Sequence, residues 1–572
     1  MTAAGWIEIA LYAAVLTVLT PLLGGYMARV YRFDAVILDR VAGPVERRLY
    51  RLLGVDPDRG QDWKAYARSV LVFSAVSWGL LYLILRTQGV HPWNPLDLAS
   101  GTWDLSFNTA SSFVTNTNWQ FYGGETTLSY FSQMAGLAVQ NFVSAAVGMA
   151  VLVALIRALA ARSGRTIGAF YPDLIRTLLY ILLPLSIVVG LIIASQGVLQ
   201  SLGAGGPLET LTGGSQTLSL GPQASQVAIK QLGTNGGGFF NVNSAHPFEN
   251  PTWLSNFVEM LSLLLIPAAL TATYGRIVGS RRQGWAIFAA MLSVWLVCVV
   301  AVAVVESGPT PAMQAAGIDG ANMEGKEQRF GVGSTALWAV STTAASNGSV
   351  NGAMESLSGI GGAVPMALMQ MGEVIFGGVG SGLYGMLLFA ILAVFVSGLM
   401  VGRTPELLGK KIEAREVKLT VIATIGVPIA VLAGTALAMS KWGRASIYDS
   451  GPQGFAETLY AYSSQGNNNG SAFAGYTGFV QSGDGQFGIS YADVIGGLTM
   501  IGARFLPLLV ALAVAGSLVG KRAAPAGAGT FRTDSATFVV LLVVVVLIVA
   551  LLTFIPALLL GPVVQGMTDQ LF

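Results

Sequence analysis

The chain has 572 residues, 53% of them hydrophobic and 10% charged, with a net charge of +2. A soluble domain carries roughly 25% charged residues, so this chain has more apolar surface than a water-facing fold can bury, and lipid is its solvent. A single cysteine, Cys298, and two histidines, His91 and His246, give no disulfide framework and no basis for a zinc or haem centre, and the small net charge gives no reason for nucleic-acid binding.

Ten apolar stretches approach or exceed the ~20 residues a helix needs to cross the hydrocarbon layer. They lie near residues 7–28, 67–87, 127–156, 174–196, 254–275, 284–305, 364–401, 419–440, 492–520 and 536–562. The first runs through Pro21 into Gly24 and Gly25 and then a basic segment, which predicts a retained helix rather than a cleaved leader. Lys and Arg beside spans mark the cytoplasmic side. Nine fall between Arg29 and Arg68, four between Arg157 and Arg176, three between Arg276 and Arg282, five between Arg403 and Lys418 and three between Lys521 and Arg532, which places 24 of the 31 on alternate loops. Those loops are expected inside and both termini outside.

The long outward segments each carry a small polar cluster: Thr115-Asn116-Thr117-Asn118, Thr234-Asn235-Gly236-Gly237-Gly238, Ser346-Asn347-Gly348-Ser349 and Asn467-Asn468-Asn469-Gly470-Ser471. From Asn116 to Asn235 to Asn347 to Asn468 the steps are 119, 112 and 121 residues, the period of one span, one re-entrant segment and one further span. Before each cluster a short stretch has the length of a half-helix: Asp104 to Val114, Ser225 to Leu232, Thr335 to Ala345 and Phe455 to Ser463. Irregular backbone at membrane depth is tolerated only where protein buries it or where it lines a water path. Four such segments are therefore expected to converge on one pore. Their carbonyls replace the hydration shell of an ion, and each half-helix C-terminus adds about half a negative charge at the same point. Glycine lets a carbonyl turn to the axis, and asparagine tolerates left-handed backbone and braces a neighbouring loop. With no carboxylate in any cluster, a monovalent cation such as K+ fits.

Taken singly, the clusters are weak. Asn347-Gly348-Ser349 and Asn469-Gly470-Ser471 match a glycosylation sequon, and Gly236 to Gly238 alone reads as a flexible turn. No Gly-Lys-Ser or Gly-Lys-Thr follows it, so it is not a phosphate-binding loop. The recurrence carries the argument.

The predicted fold class is thus an all-α polytopic membrane protein with about ten spans and four helix, pore-loop, helix repeats around one pore. The expected units are residues 1–66 (first span and basic loop), 67–165, 166–283, 284–417 and 418–522 (pore repeats one to four) and 523–572 (last span).

Several segments, in order over nearly the whole chain, resemble the potassium-binding subunit of the bacterial Kdp-type potassium-transporting ATPase, within a wider superfamily of potassium transporters. They are Thr115 to Gln120 with Ser129 to Met134, Gly233 to Asn241 with His246-Pro-Phe-Glu-Asn-Pro251, Asn322-Met-Glu-Gly-Lys-Glu327, Gly402-Arg-Thr-Pro-Glu406 with Gly409 to Lys411, and Asn467 to Gly475. At Asn347 the relatives more often carry Cys or Thr. The resemblance implies a four-subunit complex of the bacterial inner membrane. In it this chain takes K+ from outside and a partner P-type ATPase hydrolyses ATP, alongside a periplasm-facing accessory subunit and a small single-span one. The chain itself has neither a phosphate-binding loop nor the Asp-Lys-Thr-Gly-Thr phosphorylation sequence. No ATP site, catalytic residue or organic cofactor is expected on it, only K+ as the transported ligand. A channel or cation-coupled transporter of the same superfamily is the alternative function.

The filter residues expected are Asn116, Thr117, Asn118, Thr234, Asn235, Gly236, Ser346, Asn347, Gly348, Asn468, Asn469 and Gly470, with Gln120 at the mouth offering its side-chain carbonyl. Below them, Glu373 is an intramembrane charge and therefore a functional candidate. The glycines Gly377, Gly378, Gly380, Gly382 and Gly385 follow it in a stretch too long for one straight helix. A broken helix here would close the direct exit and turn the ion sideways, with Arg403 as a positive barrier. Close helix packing by the glycines, with Arg403 merely snorkelling, explains the same residues. Arg504 is expected to brace a filter loop or pair with a carboxylate.

Overall fold

The computed structural model describes residues 1–440, 443–478, 480–481, 487–525 and 531–568. The remainder of the expected fourth repeat and of the C-terminal unit lies outside the described residues.

Ten helices are long and apolar enough to cross a membrane: Ala3–Tyr31, Trp63–Arg86, Ser132–Ala160, Phe170–Ser195, Trp253–Ile277, Arg281–Ala315, Ser381–Met400, Ala414–Ala438, Tyr491–Val519 and Ala536–Met567. The third, fifth and seventh are mostly buried by other helices, whereas the second and tenth keep most of their surface outward. An apolar stretch buried all round forms the middle of a membrane protein, and one apolar but exposed faces lipid. Prolines inside the first, fifth, eighth and ninth spans (Pro21, Pro267, Pro428 and Pro507) are accommodated without ending the helices. Gly24 is where the first and fifth spans touch, since a methyl group there would meet the Ala269 carbonyl and the Ala272 side chain.

Between spans two and three, four and five, six and seven, and eight and nine lie four further helices too short to cross: Trp103–Val114, Gln223–Leu232, Gly331–Ala344 and Gly451–Gly466. They are called pore helices one to four. Because two crossings separate each from the next, all four enter from the same side. The third and fourth begin about one turn earlier than sequence indicates, because Gly331 and Gly451, each at positive φ, let the chain turn directly into the helix.

The seventh stretch is broken. A helix over Gly359–Gln370 stops, residues 371–380 are not helical, and a second helix runs over Ser381–Val401. The break contains five residues at positive φ: Gly372, Glu373, Phe376, Gly377 and Gly380. Among the elements that escaped the sequence reading, two are the longest. A helix over Asp39–Leu53 lies within the basic loop after the first span, held by a Glu46 to Arg176 ion pair of 3.2 Å. An antiparallel hairpin pairs Gly206–Glu209 with Ser215–Leu218 in the loop before pore helix two.

Candidate functional site: a ring of four polar loops

Each pore helix ends in a tight polar loop, and the four loops share one backbone pattern. Positive φ occurs at Asn116 and Asn118, at Thr234 and Gly236, at Ser346 and Gly348, and at Asn468 and Gly470. Residues 117, 235, 347 and 469 lie between them without it. The equivalent positions are therefore Thr117, Asn235, Asn347 and Asn469, one residue off the asparagine-to-asparagine alignment that the sequence suggests in the first and fourth loops. The recurring asparagine misleads there because backbone conformation, not side-chain identity, sets the register.

The loops close a ring in the order one, two, three, four. Loop one meets loop two through Asn116 Nδ2 donating to the Thr234 carbonyl at 2.9 Å and Asn235 Nδ2 donating to Asn116 Oδ1 at 2.5 Å. A methyl group on Gly236 would collide with the Asn347 carbonyl, one on Gly348 with the Asn469 carbonyl, and one on Gly470 with the Thr117 carbonyl. Loops two and three, three and four, and four and one thus touch backbone to backbone, which only glycine permits.

The asparagines brace this ring. Asn347 Nδ2 donates to the Lys230 carbonyl at 3.2 Å and Asn469 Nδ2 to the Thr342 carbonyl at 2.8 Å, so each reaches the last turn of the preceding pore helix. Their Oδ1 atoms accept from Ser349 and Ser471 backbone N–H groups at 2.9 and 3.0 Å. Asn468 Nδ2 donates to Thr117 Oγ1 at 2.9 Å, and Asn118 Nδ2 to Asn141 Oδ1 in the third span at 2.7 Å. Gln120 clips loop one to loop two: Oε1 accepts from Gly238 N–H at 2.8 Å while Nε2 donates to the Gly238 carbonyl at 3.1 Å. Its side-chain carbonyl, expected to face the mouth, is engaged by this backbone.

Sequence reasoning missed two fully buried ion pairs, the first of which supports the ring. Lys230, in the last turn of pore helix two, pairs with Glu249 at 2.6 Å with both side chains fully buried, and its own carbonyl accepts from the Asn235 and Gly236 N–H groups. Glu249 also accepts from Phe240 N–H at 2.8 Å. Lys326 pairs with Glu306 at 2.9 Å, again fully buried. A lysine in a half-helix was the available signal, together with the segments His246 to Pro251 and Asn322 to Glu327, which contain one partner of each pair. His246 stacks on Phe240 with ring centroids 3.6 Å apart, and its Nδ1 accepts from Phe248 N–H at 3.1 Å. Burial holds this imidazole below its ordinary value of 6.5, Glu249 opposing.

The break in the seventh stretch sits directly against the ring. Gly377 N–H donates to the Ala344 carbonyl at the end of pore helix three at 2.9 Å, and Val379 N–H donates to Thr234 Oγ1 at 2.9 Å. Gly380 and Gly148 of the third span approach backbone to backbone, so the glycines serve both a break and a close contact. Gly378 is closely packed too, with Ser381 Oγ 2.6 Å from where its methyl would lie. Glu373, within the break, faces Arg504 of the ninth span at 3.7 Å, both buried. Arg504 therefore pairs with a carboxylate. Arg403 lies elsewhere: it is exposed beyond the C-terminal end of the seventh span, separated from Glu373 by a helix of 21 residues, and is not part of this arrangement. Beneath the ring, a cavity of ≈ 40 Å³ is lined by Glu373, Arg504, Asn467 and Asn468. A second of ≈ 50 Å³ shares Gly372, Gly385, Val427, Asn467 and Pro507 with it and reaches Ala550 and Phe554 of the tenth span. The space below the ring thus extends sideways, and the second cavity is walled largely by apolar side chains such as Leu388, Phe389, Val427 and Phe554.

Residues 10–567 match the family described as Potassium-transporting ATPase A subunit. The chain belongs to that family. Among its relatives, the potassium-transporting ATPase potassium-binding subunit of Sorangium cellulosum is 54% identical, with 99% of each chain covered. The subunit of the same description from Rhodospirillum centenum is 53% identical over 99% of this chain and 98% of the relative. Among solved structures, the potassium transporter TrkH from Vibrio parahaemolyticus is similar in fold, with a TM-score of 0.50 at 13% identity, covering 89% of this chain and 98% of that one.

Proposed function

We propose that this chain is the potassium-binding and ion-selecting subunit of an ATP-driven uptake complex of the bacterial inner membrane. K+ reaches the ring from outside, and the four loops, one from each of four channel-like repeats, hold it. Alternating left-handed and ordinary backbone turns successive carbonyls to one side of a strand, so each loop offers oxygens to the axis without any charged side chain. The pore-helix C-termini add their dipoles. The observation that carries this reading is the closed contact of the four loops through Gly236, Gly348 and Gly470.

Below the ring, the break blocks the straight route, Glu373 and Arg504 set the local charge, and the ion leaves sideways toward a partner P-type ATPase subunit. The periplasm-facing and single-span subunits complete the assembly. The basic loops lie in the cytoplasm and both termini outside. A static ring shifts equilibria only by its differential affinities, so the energy comes from the partner.

Gentle detergent extraction tests this. An ATPase subunit that stays bound, with ATP hydrolysis stimulated by K+, is expected. The fold shared with TrkH favours one alternative, a channel or cation-coupled transporter. A chain that purifies alone and carries K+ down its gradient without ATP would establish that reading instead.

A further inference from the structure

On the side of the membrane from which the pore helices enter, three carboxylates from two expected repeats converge. Glu355 follows the third loop, Asp449 precedes pore helix four and Glu457 lies on that helix, and one oxygen of each lies within 4.8 Å of the others. Gln453 and Glu457 are four residues apart and share a helix face. Among the described residues, no lysine or arginine pairs with any of the three.

The hydrogen bonds leave specific oxygens free. Glu457 Oε1 accepts from Asp449 N–H at 3.1 Å, but its Oε2 is buried without a partner. Glu355 Oε2 accepts from Gly475 N–H at 2.8 Å. Gln453 is 7% exposed; its Nε2 donates to Glu355 Oε1 at 3.3 Å, and its Oε1 has no partner. Glu457 Oε2 and Glu355 Oε1 lie 2.5 and 2.7 Å from the point a methyl group on Gly475 would occupy, so both are aimed at one spot. A cavity of ≈ 610 Å³, lined in part by Glu355, Asp449, Gln453 and Glu324, opens beside them. Burial, with Asp449 adding to it, holds the Glu355 carboxyl above the ordinary carboxylate range. Three crowded carboxylates require either protons or a cation.

We propose that Glu355, Asp449, Glu457 and the Gln453 carbonyl form a site for a hard divalent cation of the calcium class. Three carboxylates and an amide carbonyl are its oxygen donor set, and waters from the cavity complete six to eight ligands. A bound ion ties the segment after the third loop to pore helix four and so stiffens that side of the ring from outside.

The assembled complex, stripped with chelator, is titrated with radioactive Ca2+ at fixed K+. One saturable Ca2+ per chain and a rise in the thermal midpoint are expected. Glu355→Gln should weaken binding about tenfold or more, the loss typical of disturbing a metal site. Glu327→Gln, which removes an acid paired with Arg329 at the surface, should leave it unchanged. Gln453→Glu, which adds a ligand charge, should tighten binding, and it remains informative should Glu355→Gln fail to assemble. A cluster that only shares protons gives no saturable Ca2+ binding, and that result overturns the proposal. So does binding indifferent to both Glu355→Gln and Gln453→Glu, or binding that K+ displaces at equal concentration.

Discussion

Replacing Gly236 with serine probes the ring at its closest contact. The residue has φ +84, and its new Cβ would collide with the Asn347 carbonyl and crowd Ser349 N, all backbone atoms that cannot rotate away. A left-handed conformation costs a non-glycine residue about 1–2 kcal/mol, and forcing an atom into a packed site costs typically a further 1–3 kcal/mol. The sum is about 2–5 kcal/mol, which at 1.4 kcal/mol per tenfold weakens K+ binding by about 30-fold or more if the cost falls on the bound geometry. Asn118 adopts the same sign of φ with a side chain in place, so conformation alone does not demand glycine; the neighbouring carbonyl does. Gly348→Ser and Gly470→Ser should therefore behave alike. Gly79→Ala, where no atom lies within 4 Å, should leave binding unchanged. The assay is K+ and Rb+ uptake by the complex in proteoliposomes. Unchanged affinity and unchanged K+ over Rb+ discrimination in Gly236→Ser would refute the reasoning.

Three further outcomes are expected. Lys230→Met leaves Glu249 buried without its partner, a change that costs about 3–5 kcal/mol, and adding Glu249→Gln should restore part of it; thermal unfolding of the complex reads both. Removing Gly377 to Gly382 takes away the N–H groups that tie the break to Ala344 and Thr234, so K+ should leak downhill without ATP, and a tight, correctly assembled variant would count against a gate. The depressed His246 value means that the unfolded chain takes up this proton first as pH falls, so the histidine's contribution is complete above about 6.5 and is lost on acidification through the lowered value. His246→Phe, which keeps the ring stack and cannot titrate, should flatten that part of the stability profile.

Spans were legible because a window of twenty apolar residues admits few other readings. The short helices and their loops were found because the chain could not afford irregular backbone at membrane depth without a purpose. What the sequence concealed is mostly lateral. The loop register depends on φ, which a run such as Asn467 to Asn469 does not reveal. The pairing of Glu373 with Arg504 joins the seventh stretch to the ninth span, and nothing in either segment points to the other. Arg403 suggested a barrier from its position near the membrane edge, yet the Ser381–Val401 helix carries it away from the break. Gln120 and Lys230 bond to partners in another loop, and only the closed ring shows which ones.

The most direct measurement is the position of Tl+, a K+ substitute, by anomalous scattering from crystals of the complex. Density on the axis enclosed by Thr117, Asn235, Asn347 and Asn469 is expected, displaced by K+ and lost in Gly236→Ser. A transport-competent complex with Tl+ bound elsewhere and none within the ring would contradict the assignment of these four loops as the selective site.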